Sequence, residues 1–121
     1  VLSGAREIAL RAALACDEKL GCDTIVLDVA THCTFASYFV ITTATNARLL
    51  QTVVEFVQEK VKQDLGDAPV GIEGQQEWVV LDYGGTVVHV FSQEAREFYQ
   101  LERLWGDAES VPFASASERS A

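Results

Sequence analysis

The chain has 121 residues, 49% of them apolar, the size of one ordinary domain that can bury a single core without metal or disulfide staples. Nine Lys and Arg against eighteen Asp and Glu leave a net charge of -9 at pH 7, which repels a phosphate backbone and excludes direct, unspecific nucleic-acid binding as the expected function. The same charge favours a basic surface, and in cells such surfaces belong mostly to proteins that bind nucleic acid, so a basic protein partner is the first functional hint.

From about Ala5 to Leu20 the chain is rich in Ala, Leu, Glu and Arg, with Ile8, Ala12 and Cys16 spaced to share one side of a helix. Gly21 marks its stop, and the apolar run inside Thr24–Val29 predicts a buried strand. Tyr38–Thr43, aromatic and β-branched, predicts a second. Asn46 then offers an N-cap to a helix in which Leu49, Leu50, Val53, Val54, Val57, Val61 and Leu65 recur at intervals of three and four, ending at Gly66-Asp-Ala-Pro69. Val70–Glu73 has the length of an edge strand. Trp78–Asp82 and Thr86–Phe91 flank Tyr83-Gly84-Gly85 as the arms of an antiparallel hairpin. Ser92 caps a third helix with Ala95, Phe98, Leu101, Leu104 and Trp105 as its apolar stripe, closed by Gly106. Asp107–Ala121 lacks any period and is expected to be a disordered tail. The expected division is therefore a domain over 1–106 and a tail over 107–121, with an α/β fold whose mixed sheet has roughly five strands packed with helices.

Cys16, Cys22 and Cys33 form no Cys-x-x-Cys pair and fit neither a secreted disulfide framework nor a common zinc module. His32 and Cys33 with Cys22 would supply three soft ligands, but no fourth is evident and no metal is expected. No apolar run approaches the ~20 residues of a membrane span, so a soluble, cytoplasmic protein is expected. Thr42–Arg48 joins a strand to a helix start, where amides attract anions, yet it contains no glycine for close phosphate approach.

The hairpin and third helix concentrate Trp78, Asp82, Tyr83, His89, Phe91, Tyr99, Glu102 and Trp105. Aromatic rings give contact area at low entropy cost, and carboxylates pair with a partner's Arg or Lys, so the cluster has interface chemistry. Phe91, Phe98 and Leu101 are expected in the core; for Trp78 and Trp105, core and interface are evenly balanced. His89 alternates with Val88 and Val90, which predicts an exposed ring if those valines face the core. Asp82 on the neighbouring strand could orient it, but no Ser or Cys stands beside both, so an interface or structural histidine is expected rather than a general base.

In order along the chain, Leu27-Asp-Val29, Tyr38–Thr43 with Arg48, Glu73-Gly74, Trp78–Gly84, Val87–Phe91 and Arg96–Trp105 resemble the Iojap-type ribosomal silencing factors over roughly residues 5 to 105. The resemblance implies a fold related to nucleotidyltransferases and a role as a translation repressor. It implies docking on the large ribosomal subunit through large-subunit ribosomal protein fourteen, which is basic, and steric blocking of the small subunit. Ser37, Ala44 and Gly85 depart from the usual pattern, where the family has Asp, Gly and Asp. The expected docking residues are Trp78, Asp82, His89, Tyr99, Glu102 and Trp105, with Glu73 and Arg48 beside them. No cofactor, metal or catalytic residue is expected, nor a membrane partner; an exposed sheet edge or aromatic patch would suit a homodimer. The rival from another class is a metal-dependent nucleotidyltransferase or phosphoryl-transfer enzyme, which needs paired carboxylates where Asp28 and Asp82 each stand alone.

Overall fold

The structure, a computed structural model, describes residues 4–113. In chain order its elements are α1 (Ala5–Glu18), β1 (Cys22–Asp28), β2 (Tyr38–Ala44), α2 (Ala47–Leu65), β3 (Gly71–Gln75), β4 (Trp78–Asp82), β5 (Thr86–Ser92), α3 (Gln93–Tyr99), α4 (Leu101–Leu104) and β6 (Glu109–Ser110). The strands form one mixed sheet in the order β3-β4-β5-β2-β1-β6, with β2 and β5 parallel and every other neighbouring pair antiparallel.

Local chemistry accounts for most of these elements. Asn46 Oδ1 accepts a hydrogen bond from the Leu49 amide at 2.7 Å and starts α2; Gly66, at φ 74°, ends it by returning its own amide to the Lys62 carbonyl. Leu50, Val53, Val54, Val57 and Val61 of α2 meet Ile8, Ala12 and Cys16 of α1 over one face of the sheet. The small residues on α1 let the two helices approach closely, and Arg11 clamps them from outside by pairing with Asp64 of α2 and Glu18 of α1.

Two expectations fail here. The segment after Gly106 continues the fold: Glu109 and Ser110 pair with Asp28 and Leu27, the Val111 amide donates to the Val26 carbonyl at 2.7 Å, and Val111 is buried. A two-residue strand has too little length to show alternation, and its place is chosen by the free edge of β1. The boundary at 106 therefore moves outward and the sheet has six strands; residues 114–121 of the expected tail lie outside the described residues. The third helix is also not continuous. Gln100 adopts a left-handed conformation, φ 45° and ψ 51°, which separates α3 from α4. The break resets the helical phase, so Ala95 is buried while Phe98, expected in the core, is 81% exposed and Leu104 is 75% exposed.

Candidate docking surface

Alternate residues of the same strands build two unlike faces. Val79 and Leu81 of β4 and Val88 and Val90 of β5 point into the aliphatic core under α1 and α2. Their neighbours Trp78, Val80, Val87 and Phe91, with Phe39 and Ile41 of β2, make a second, aromatic layer. The register sets Glu73 opposite Val80 and Gln75 opposite Trp78, so both belong to this second face. Gly74, at φ 95°, lies so close to the Trp78 carbonyl that a Cβ would collide with it, which keeps the tight β3–β4 hairpin against the indole. The short helices α3 and α4 cover the middle of this face through Ala95, Leu101 and Trp105 and leave the β3–β4 end open.

His89 is not exposed. The aromatic layer closes over it, leaving it 7% accessible, and burial pushes its pKa down to about 4. Its Nδ1 accepts the Trp78 indole N–H at 3.2 Å, which makes it a neutral ring with the proton on Nε2, and Phe39 meets it edge-on at 4.9 Å. Asp82 does not orient it: Asp82 Oδ1 accepts from the Gly84 amide at 2.8 Å and shapes the β4–β5 turn. His89 therefore supports Trp78 from beneath.

Above it, the Trp78 ring stacks on Phe91 at 4.8 Å and meets Tyr99 at 4.8 Å. Phe98 stands edge-on to Tyr99 at 5.0 Å, and Tyr99 is 49% exposed. Trp105 packs edge-on against Phe39 at 5.4 Å and is half-buried. The outcome is an aromatic ledge of Trp78, Tyr99 and Phe98 at the Trp78 end of β4, with the exposed Glu73 on the same sheet face and the half-exposed Asp82 at the far end of the strand. Between Lys62 and Arg96 the chain has no Lys or Arg, so the whole β3–β4 hairpin carries one sign of charge.

Two expected site residues lie elsewhere. Glu102 pairs at 2.9 Å with Arg96, whose Nη1 also donates to the Asp23 carbonyl at 2.7 Å and Thr43 Oγ1 at 2.9 Å; this knot pins α3 to the ends of β1 and β2. Arg48 is exposed on α2, which packs on the aliphatic face. Sequence reasoning missed Phe98, for want of any signal that Gln100 would break the helix, and Phe35, which is 66% exposed and packs on Phe39 at 6.1 Å from a loop without periodicity. Among the described residues no three His, Cys, Asp or Glu side chains gather where a metal ion would sit. Nor is any helix long and apolar enough to cross a membrane.

The profile of the family described as "Ribosomal silencing factor during starvation" matches residues 3–121. The Ribosomal silencing factor RsfS of Bacillus subtilis is 36% identical over 99 residues, covering 80% of this chain and 83% of the relative. The mouse protein named "Mitochondrial assembly of ribosomal large subunit protein 1" is 34% identical over 87 residues, 69% of this chain and 38% of its own length. A crystal structure of a Chromobacterium violaceum protein superposes with a TM-score of 0.81 at 31% identity, covering 97% of this chain and 99% of that one. The family is not one of enzymes. A profile match over nearly the full length and this shared mixed-sheet architecture together establish that the chain belongs to the ribosomal silencing factor family, which includes the Iojap proteins.

Proposed function

We propose that the chain represses translation by binding the large ribosomal subunit and occupying space that the small subunit needs. The partner is a basic protein on the joining face, large-subunit ribosomal protein fourteen as the family resemblance implies, and the action takes place in the cytoplasm. The observation that carries this reading is the ledge itself: Trp78 with Tyr99 and Phe98 of α3 present apolar area next to a β3–β4 hairpin that bears Glu73, Glu77 and Asp82 and not a single cation. Rings of this kind supply most of the energy in compact interfaces, and a one-signed rim speeds encounter with a positive surface. The mouse relative's name refers to the ribosomal large subunit, which supports the large subunit as the particle bound.

No bond needs to be made or broken. The kinship to nucleotidyltransferase folds that the resemblance implies would supply architecture alone: Asp28 on β1 and Asp82 on β4 are separated by two strands and each shapes a local turn, so they do not form the carboxylate pair that such chemistry needs.

Sucrose-gradient sedimentation with separated subunits tests the proposal. The protein should travel with the large subunit and reduce reassociation with the small one. Migration at the top of the gradient, with reassociation unaffected, would overturn it. Asp82→Lys should slow association most at low salt, because screening already weakens the native attraction at high salt.

A further inference from the structure

The sheet holds one parallel pair, β2 and β5, and the chain leaves these strands toward opposite faces: β2 runs into α2 on the aliphatic side, β5 into α3 on the aromatic side. Where neighbouring parallel strands part in this way, the connections diverge and a crevice opens at the strand carboxyl ends, the usual ligand position in open α/β sheets. A cavity of about 540 Å³ opens there, between the ends of β2 and β1 and the α3–α4 break, a volume within the range that small ligands fill.

We propose that this cavity binds a small zwitterion of the amino-acid class, its carboxylate held by Arg103 and the uncommitted Nη2 of Arg96, its ammonium by Asp23 and Glu97. All four side chains belong to residues that line the cavity. Arg96 uses Nε and Nη1 on Glu102, Asp23 and Thr43, and among the described residues its Nη2 has no partner. The knot that holds Arg96 thus leaves Nη2 fixed in place and uncommitted, able to give a charge-assisted hydrogen bond to one carboxylate oxygen. Arg103 bonds the Gln100 side-chain oxygen at 2.7 Å and has no carboxylate partner among the described residues. Asp23 and Glu97 likewise have no hydrogen-bond or ion-pair partner for their carboxylates among the described residues.

Open groups of both signs therefore face one small space. A nucleotide or other polyanion would set its charge against Asp23, Glu97 and a chain of net charge -9, while a zwitterion satisfies both signs at once. Among the described residues, Asp23 and Gln100, at φ 49° and 45°, are two of the three non-glycine residues with positive φ, and both line the cavity.

The test is calorimetry and thermal unfolding of the full chain with each of the twenty amino acids, and separately with AMP and GTP. One amino acid, or a chemically related few, should bind with a Kd between roughly 10 μM and 1 mM and raise the melting temperature as concentration rises. Arg103→Ala and Glu97→Gln alter exposed side chains, so the fold should be retained, and each should weaken binding about tenfold, the loss of one charge-assisted hydrogen bond. The nucleotides should give no heat. Absence of binding by every amino acid at about 10 mM, stronger binding of a nucleotide, or an affinity unchanged in both variants overturns the proposal.

Discussion

The two faces of the sheet are built by alternate residues of the same strands, yet they are finished differently. Behind Val79, Leu81, Val88 and Val90 lie two full helices whose Ala and Val side chains leave almost nothing accessible. In front lie Trp78, His89 and Phe91, covered by the seven residues of α3, the four of α4, Trp105 and Ala108 just after them, and the loop that carries Ala36. The difference teaches that the aliphatic face holds the fold together and the aromatic face can leave rings partly bare, because stability does not depend on sealing it. Large rings bridge the two roles: a stacked indole contributes to the core with one surface and remains available with the other.

The sharpest way to break this comparison is to injure each face and read both stability and docking. On the aliphatic face, Leu50→Ala removes a fully buried side chain and should cost about 2–5 kcal/mol in denaturant unfolding; a loss below about 1 kcal/mol would mean that this face is not the stabilising one. On the aromatic face, His89 supplies a pH signature. Burial holds its folded pKa near 4 against an ordinary 6.5, so between these values the unfolded chain binds more protons than the folded one. Its contribution is therefore complete above about pH 6.5 and is lost as the pH falls toward 4, by up to about 3 kcal/mol. His89→Leu should flatten that part of the stability profile relative to the parent, and equal slopes in the two proteins would remove the histidine from the account.

Smaller effects separate support from presentation. Trp78→Ala should weaken large-subunit binding by about 2 kcal/mol, measured as a shift in the sedimentation titration at a pH where the variant remains folded. Phe98→Ser should change stability by less than about 0.5 kcal/mol, because the ring is already in water, and still reduce docking measurably. A variant that unfolds as readily as Leu50→Ala would place Phe98 in the core after all.

Much of this could be read from residue order. The apolar period of α2, its Asn46 cap and its Gly66 stop are local facts, and the structure reproduces them within a residue. The Tyr83-Gly84-Gly85 turn was equally legible, since Gly84 alone supplies the positive φ there, 91°. His89 was harder. Alternation correctly set it opposite Val88 and Val90, but whether that opposite side meets water depends on residues sixteen positions later, where Trp105 arrives to cover Phe39. Glu102 illustrates the same limit, for nothing near it in sequence announces that Arg96 will claim its carboxylate and turn it into part of an internal clamp.

By itself, then, the sequence determined most of the helices and strands and that the domain is acidic, because caps, periods and charge act over a few residues, and its ordered motif blocks pointed to the family. Tertiary structure alone decided that β6 closes the sheet, that Gln100 breaks the last helix and turns Phe98 outward, and that His89 lies beneath Trp78 instead of beside a partner. These are choices among competing long-range contacts. Their energies arise only when distant parts of the chain meet, so no local pattern records them.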